Sequence, residues 1–557
     1  LENELFEVTD LINSYNTKNH YEYAELNLQA AEKAKGIFAL HSASEYAAIG
    51  IDMLPEVTFE DRPGLALRLY TIGAEMELAL GHGDAAEAYR NALVSRSEYT
   101  IIDKLPLQCA YVRKLSFVDL DYPKAVDVCI KLLSELGVKV LWRHVPVSIQ
   151  ALTILMRTIG KTNKEAPHPE NIFKEMKLMT DKKDQLIMDL LSTMGFAAYH
   201  IRGSLLSVVG ICMMVQMTLD RGIAKESGNS FVWLSNFTIS LKSDYETAAR
   251  FADIGLAIQK ASPPAREGAC LFNSHAFVLS WKLPFHDCLK PLATGYASAM
   301  KMGDTAYAMW ALVSRHVWVP YLMGKPLPPI LKELPLIQSQ MEELSQRKQL
   351  ISLKSFRDLF LNLVISSIDI DGPPELDSKA HFAKGELLLF MDPEKAAKRA
   401  IKVGNNFSKH NMGTCLIMIE TFHRGVSLYT MARRTGQRKY KNPASKIRKM
   451  VESWWNAGNP NVKHYIKLLN AEHEALNKSY DKAEKLYVEA IALAARTGHM
   501  HHAALFNERY ADLLMHHRKD KKEAEFRLTE SIRYYNEWGA IRKVEALAEV
   551  LLKLKEG

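Results

Sequence analysis

Histidines crowd one stretch near the C-terminus: His499, His501 and His502, followed by His516 and His517. Imidazole is the commonest transition-metal ligand and the side chain that titrates nearest neutrality, so this group comes first in any search for chemistry. Adjacent positions on a helix point in different directions, and no cysteine or carboxylate stands at ligand spacing. The five are therefore expected to be partly exposed or to cap helix ends, with no metal bound.

Other fragments fall short of a known chemistry. Gly160-Lys161-Thr162 ends like a phosphate-binding loop, but that loop needs a glycine where this chain has Leu155, and a strand leading into it where Thr153 to Arg157 read as helix. A glycine helix stop is expected instead. His473-Glu474-Ala475-Leu476-Asn477 places Asn477 where a zinc-protease helix needs its second histidine. Asp369, Asp371 and Gly372 resemble the start of a calcium loop, yet Ser378 occupies the place of its closing glutamate. There is no Gly-x-Ser-x-Gly elbow, no His-Arg-Asp catalytic loop and no Gly-rich loop after a strand. No catalytic, cofactor-binding or metal-ligating residue is expected.

Between 433 and 449 eight basic residues (Arg433, Arg434, Arg438, Lys439, Lys441, Lys446, Arg448, Lys449) occur without an acid, around Tyr440. This run is the best electrostatic candidate for an acidic partner. Its aromatics are too few for stacking on single-stranded nucleic acid, and a solvated helix-loop-helix face is the expectation. Trp454-Trp455 is expected to pack between hairpins.

The elements that would position these residues read as helices almost throughout. Apolar positions recur at helical spacing and alternating strand-like runs are scarce. Paired-helix units with a small residue, then a large one three or four on, lie at 86–93, 125–133, 248–258, 396–403, 483–494 and 524–534. Turn signals separate them at Gly81-His82-Gly83-Asp84, Leu120-Asp121-Tyr122-Pro123, Ser262-Pro263-Pro264 and Met302-Gly303-Asp304. Proline-rich interruptions fall at 163–171 (Pro167, Pro169), 324–335 and 369–377. The last two divide the chain into an N-terminal helical-repeat region 1–330, a helical connector 331–372 and a C-terminal tetratricopeptide-like repeat region 373–557.

With 48% hydrophobic and 24% charged residues the chain has the composition of an ordinary folded protein, which excludes extensive disorder. Its 71 basic and 64 acidic residues leave +7, too little over 557 residues to imply nucleic acid or an anionic membrane. Cys109, Cys129, Cys212, Cys270, Cys288 and Cys415 form no paired motif and are expected reduced, buried and intracellular. The charge-free run 203–219, with Ser204, Ser207 and Gln216, is shorter than a bilayer span and is expected to be a buried helix. Leu1-Glu2-Asn3-Glu4-Leu5-Phe6 lacks an initiator methionine and a signal peptide and reads as the middle of a helix, so a piece of a longer polypeptide is expected.

The ending Trp538-Gly539-Ala540-x-x-Lys543-Val544, preceded by Ala503-x-Leu505-x-Asn507-Glu508, resembles the tetratricopeptide-like helical region of large multidomain STAND-type, AAA-like ATPase signalling proteins. Members of that family combine kinase-like, ATPase, GAF and histidine-kinase domains. Leu80-Gly81-His82-Gly83-Asp84, Gly228-Asn229-Ser230, Trp281-Lys282-Leu283-Pro284 and Met323-Gly324-Lys325-Pro326-Leu327 extend the resemblance over nearly the whole chain. It implies an α-solenoid of stacked helix hairpins, cytoplasmic and non-enzymatic, that binds a partner or ligand and regulates attached ATPase or kinase domains. ATP would then bind only outside these residues. The alternative is a free-standing adaptor bridging protein partners. Nucleic acid and membrane insertion are not expected.

Overall fold

The structure, a computed structural model, describes residues 4–15, 18, 20–166, 176–201, 205–261, 266–365 and 378–556. Asp369, Asp371 and Gly372, Pro167 and Pro169, Ser262-Pro263-Pro264 and the 372/373 boundary lie outside the described residues, as do Leu1, Glu2 and Asn3. Among the described residues helices follow one another from Glu4–Ser14 to Ile541–Glu556 with no strand, and one isolated bridge joins Leu178 and Ile223. The chain is all-α, as its periodicity predicts.

Sequential helices pack against one another, among them Tyr21–Gly36 with Leu40–Asp52, Lys463–Leu476 with Tyr480–Arg496, and Met500–Leu513 with Lys521–Trp538. Short connections leave a helix no other neighbour to bury its apolar stripe against. The alanines that open the six predicted units (Ala86, Ala125, Ala248, Ala396, Ala483, Ala524) are all buried, where a larger side chain would hold the helices apart. In Tyr480–Arg496 the buried set is Ala483, Tyr487, Ala490, Ile491 and Ala494, and the Tyr487 ring stacks on Tyr510 with centroids 5.2 Å apart.

The turn signals work by two means. Gly81 and Gly303 supply φ values of +85° and +70° between helices. Asp121 accepts a hydrogen bond from the Lys124 amide at 3.2 Å, capping a helix whose first turn holds Pro123. The run 203–219 resolves, from Leu206, into the helix Leu206–Arg221, whose apolar side chains sit in the core. No described helix is long and apolar enough to cross a membrane.

Two sequence expectations need correction. Gly160 does not stop a helix: Val147–Glu165 runs through it, because Leu155, Ile159 and Thr162 are buried on one face against Leu206–Arg221. A helical glycine costs about 1 kcal/mol relative to alanine, less than that packing supplies. The prolines of 324–335 do not break the fold either. Pro328 and Pro329 occupy the first turn of the helix Leu327–Glu343, where amides lack intrahelical partners in any case, and Pro335 lies inside that helix, which runs on through it.

One buried core extends from Val232 to Leu547 and so includes residues on both sides of 331–372; a second covers Leu105 to Ile258. Hydrogen bonds distant in sequence tie the later helices onto the middle of the chain. The Trp281 indole donates to the Gly413 carbonyl at 2.8 Å, the Cys415 amide to Ala276 at 2.9 Å, and the Asn461 side chain to Ser280 and Leu283 at 2.8 and 2.9 Å. The ties at Gly413 and Cys415 hold the helices of 378–435 to those of 182–318. A cavity remains between the two sets.

Candidate functional site

The cavity has a volume of about 450 Å³. Its aromatic side is built by helices of the central chain: Phe196 and Tyr199 from Lys182–His200, Trp233 from Ser227–Lys242, and Tyr307 and Trp310 from Thr305–Val313. Trp233 lies 5.0 Å from Tyr199 and 5.8 Å from Phe277 between ring centroids, forming a continuous wall. Two single π-helical turns, Ser274–Val278 and Ser314–Trp318, bring Phe277 and Trp318 to this wall. Such turns insert one residue into a helix, redirect its side chains, and recur at functional sites. The Trp318 ring is fully buried, yet its indole N–H has no acceptor among the described residues.

The opposite side is polar and rich in cations. Lys348, Lys379, Arg399, Lys402 and Arg424 line the cavity against two carboxylates, Glu386 and Glu420. Lys379 Nζ lies 5.1 Å from the Trp318 ring and 5.5 Å from Phe407, and bonds the Asn411 side chain. Arg399 donates to the ring nitrogen and the carbonyl of His381, at 2.5 and 3.1 Å, and burial lowers its pKa. Glu420 is held by Arg424 at 3.0 Å; burial, more than offsetting that arginine, raises its pKa. His200 stacks on Tyr122, and burial, followed by the charges of Lys348 and Lys379, pushes its pKa far below the usual histidine value.

Glu386 begins a buried hydrogen-bonded chain. Tyr321 Oη donates to its Oε2 at 2.6 Å, and His423 Nδ1 lies 2.7 Å from the same oxygen. His423 Nε2 meets His502 Nε2 at 3.0 Å, and His502 Nδ1 meets His464 Nε2 at 3.0 Å. One assignment satisfies every link with neutral rings: His464 donates to His502, His502 to His423, and His423 to the carboxylate. His501 stacks on His502 with centroids 3.7 Å apart, and neither of its ring nitrogens has a partner among the described residues. Burial, then neighbouring histidines, pushes the pKa values of His464, His501 and His502 well below 6.5; burial, then Lys325, pushes His499 down to about 4. The chain can orient Glu386.

This corrects the expectation for two of the five histidines. His516 and His517 are exposed, and His499 stands at the start of Met500–Leu513, but His501 and His502 are fully buried. The reason is that Met500–Leu513 has no solvent face in this region, with every residue from His501 to Asn507 buried. His516 also has a carboxylate in reach, with Asp512 one turn earlier at 3.6 Å. Among the described residues no group of three or more His, Cys, Asp or Glu side chains has the geometry to hold a metal ion.

The basic run 433–449 divides. The Arg433 side chain is 2% exposed and pairs with Glu472 at 2.9 Å and Asp512 at 2.8 Å, while Arg509 joins the same acids. Arg434 reaches Asp512 at 3.2 Å, and Tyr440 is buried. Arg438, Lys439, Lys441, Lys446 and Lys449 are exposed, as expected of a solvated face. Trp454 packs edge-on against Trp281 as predicted, whereas Trp455 is partly exposed beneath Lys463. Lys161 pairs with Asp220, and His473 lies 3.2 Å from both Tyr429 and Asn477 side chains. All six cysteines are buried free thiols.

Sequence reasoning missed Glu386, His423, His464 and the cavity aromatics. Glu386 and His423 are 37 positions apart, and His423 and His502 are 79 apart, so no local spacing marks them. The chain matches no known family model, and no curated protein is significantly similar to it.

Proposed function

We propose that the chain is a non-catalytic helical-repeat sensor region of a STAND-type signalling protein, which binds a ligand or partner and regulates attached ATPase or kinase domains in the cytoplasm. The observation that carries this reading is the cavity of about 450 Å³ between two sets of helices distant in sequence. A ligand there would touch both sets at once, so its binding energy would act on their relative position. The volume lies within the range of small-molecule sites, and the mixed aromatic and cationic lining suits selective binding.

Hydrogen exchange of the protein with and without a heat-cleared, low-molecular-mass cell extract tests the proposal. Protection in Ser378–Met391 and Thr305–Val313 together is expected, with a changed ATP turnover when the region is joined to its ATPase. Exchange that no extract fraction alters, or turnover that is indifferent to the fraction that binds, would overturn it.

A further inference from the structure

We propose that the cavity recognises an amphipathic anion: a planar apolar body resting on the aromatic wall, bearing a phosphate, sulfonate or carboxylate group held on the side of Arg399. The inference rests on the sensing role proposed above and names the chemistry of its ligand.

Three observations carry it. The first is charge. Among the described residues five cations and two carboxylates line the cavity, and both carboxylates are engaged, Glu386 by Tyr321 and His423 and Glu420 by Arg424. Arg399 bonds only His381, and no acid among the described residues pairs with it. A half-buried guanidinium beside a low-dielectric wall attracts an anion far more strongly than a surface one does. The second is the Lys379 ammonium, which lies 5.1 Å from the Trp318 ring and so sets a cation directly beside the aromatic wall. The third is shape. Trp233, Phe277 and Trp310 offer ring faces and edges, which favour a flat body over a branched aliphatic one. The two π-helical turns bear on the same wall, where a regular helix would aim Phe277 and Trp318 elsewhere.

Two dyes that share one ring system separate charge from shape. 1-Anilinonaphthalene-8-sulfonate carries the anion; N-phenyl-1-naphthylamine lacks it. Fluorescence and calorimetric titration of the intact chain should give one sulfonate per chain, bound about tenfold or more tighter than the neutral dye. R399Q should erase most of that difference while leaving the neutral dye unchanged, and R399K should restore it. Gly385 lines the cavity with open space where a Cβ would stand, so G385W should fill it and abolish binding of both dyes. Unfolding midpoints equal to wild type would show that these variants fold.

Equal affinity for the two dyes, or sulfonate binding indifferent to R399Q, would overturn anion recognition and leave sensing of a neutral ligand standing. Sulfonate binding that survives G385W would place the dye elsewhere and overturn the assignment to this cavity. Binding of neither dye would remove the cavity as a small-molecule site, and the sensing role with it.

Discussion

At the scale of single residues, burial decides what a histidine does. His502 accepts from one neutral ring and donates to another, so replacing it strands a donor on His464 and an acceptor on His423. Each buried polar group left unpaired costs about 1–3 kcal/mol. H502F, which keeps a ring of similar size, should therefore lower stability by about 2–4 kcal/mol in urea unfolding, whereas H516A at an exposed site should change it by less than about 0.5 kcal/mol. Equal effects would mean that the buried chain is not formed. Gly539 supplies a second case. Its φ is +90°, and a Cβ there would lie 2.5 Å from Pro328 Cδ. G539A should lower the thermal midpoint by several degrees, by backbone strain and by forcing apart the 327–343 helix and the C-terminus. The motif Trp538-Gly539-Ala540 could be read in the sequence as a helix ending. That its glycine presses on Pro328, more than two hundred residues earlier, could not.

Helices meet at charged nodes as well as apolar ones. Arg433 from Leu416–Thr435, Glu472 from Lys463–Leu476, and Arg509 and Asp512 from Met500–Leu513 form a nearly dry cluster that fixes three helices against each other. Both arginines keep raised pKa values, because the two acids outweigh burial, and the arginines hold Asp512 well below the usual carboxylate range. E472Q keeps the shape and removes one negative charge, leaving two buried guanidinium groups to share Asp512. Breaking a buried pair in this way costs about 3–5 kcal/mol. Removing the whole node with apolar residues would cost less, so E472Q should be more destabilising than a quadruple replacement of Arg433, Glu472, Arg509 and Asp512 by methionine, leucine, methionine and leucine, measured by denaturant midpoint. The reverse order would show that water reaches the node. At this scale the sequence was most legible: the buried alanines follow from helical spacing alone. The basic run was less so, because a stretch of cations reads as solvated unless its distant acids are known, and Glu472 and Asp512 lie beyond its end. The cavity was illegible for a related reason, as its lining comes from helices spread over more than two hundred residues.

For the whole molecule, the buried histidines make stability a function of pH with a predictable sign. His464, His499, His501 and His502 all have folded-state pKa values below 6.5, for burial opposes their charged forms. The unfolded chain therefore takes up protons near pH 6.5 that the folded chain refuses. The stability they contribute is fully present above that pH and falls as the pH drops below it. The fall continues to about pH 4 for His499. Each such group adds a slope of about 1.4 kcal/mol per pH unit. Asp189 and Asp512, held low by arginines, lose their contribution only below the ordinary carboxylate range, whereas Glu420 and Asp253, raised by burial, act in the sense opposite to the imidazoles as the pH falls toward their range. His200 and His275 shift in the same direction and belong to the same total. Urea unfolding across pH 8 to 5 should give a plateau above pH 7 and a steep fall below pH 6, with a slope of several protons. H501F removes one titrating ring that makes no hydrogen bond, so it should reduce that slope by about one proton even where it lowers the plateau. A slope of less than one proton in the wild-type protein would mean that these rings are solvated in the folded state. The packing of Met500–Leu513 against the Glu386 chain would then be wrong, and the polar side of the cavity with it.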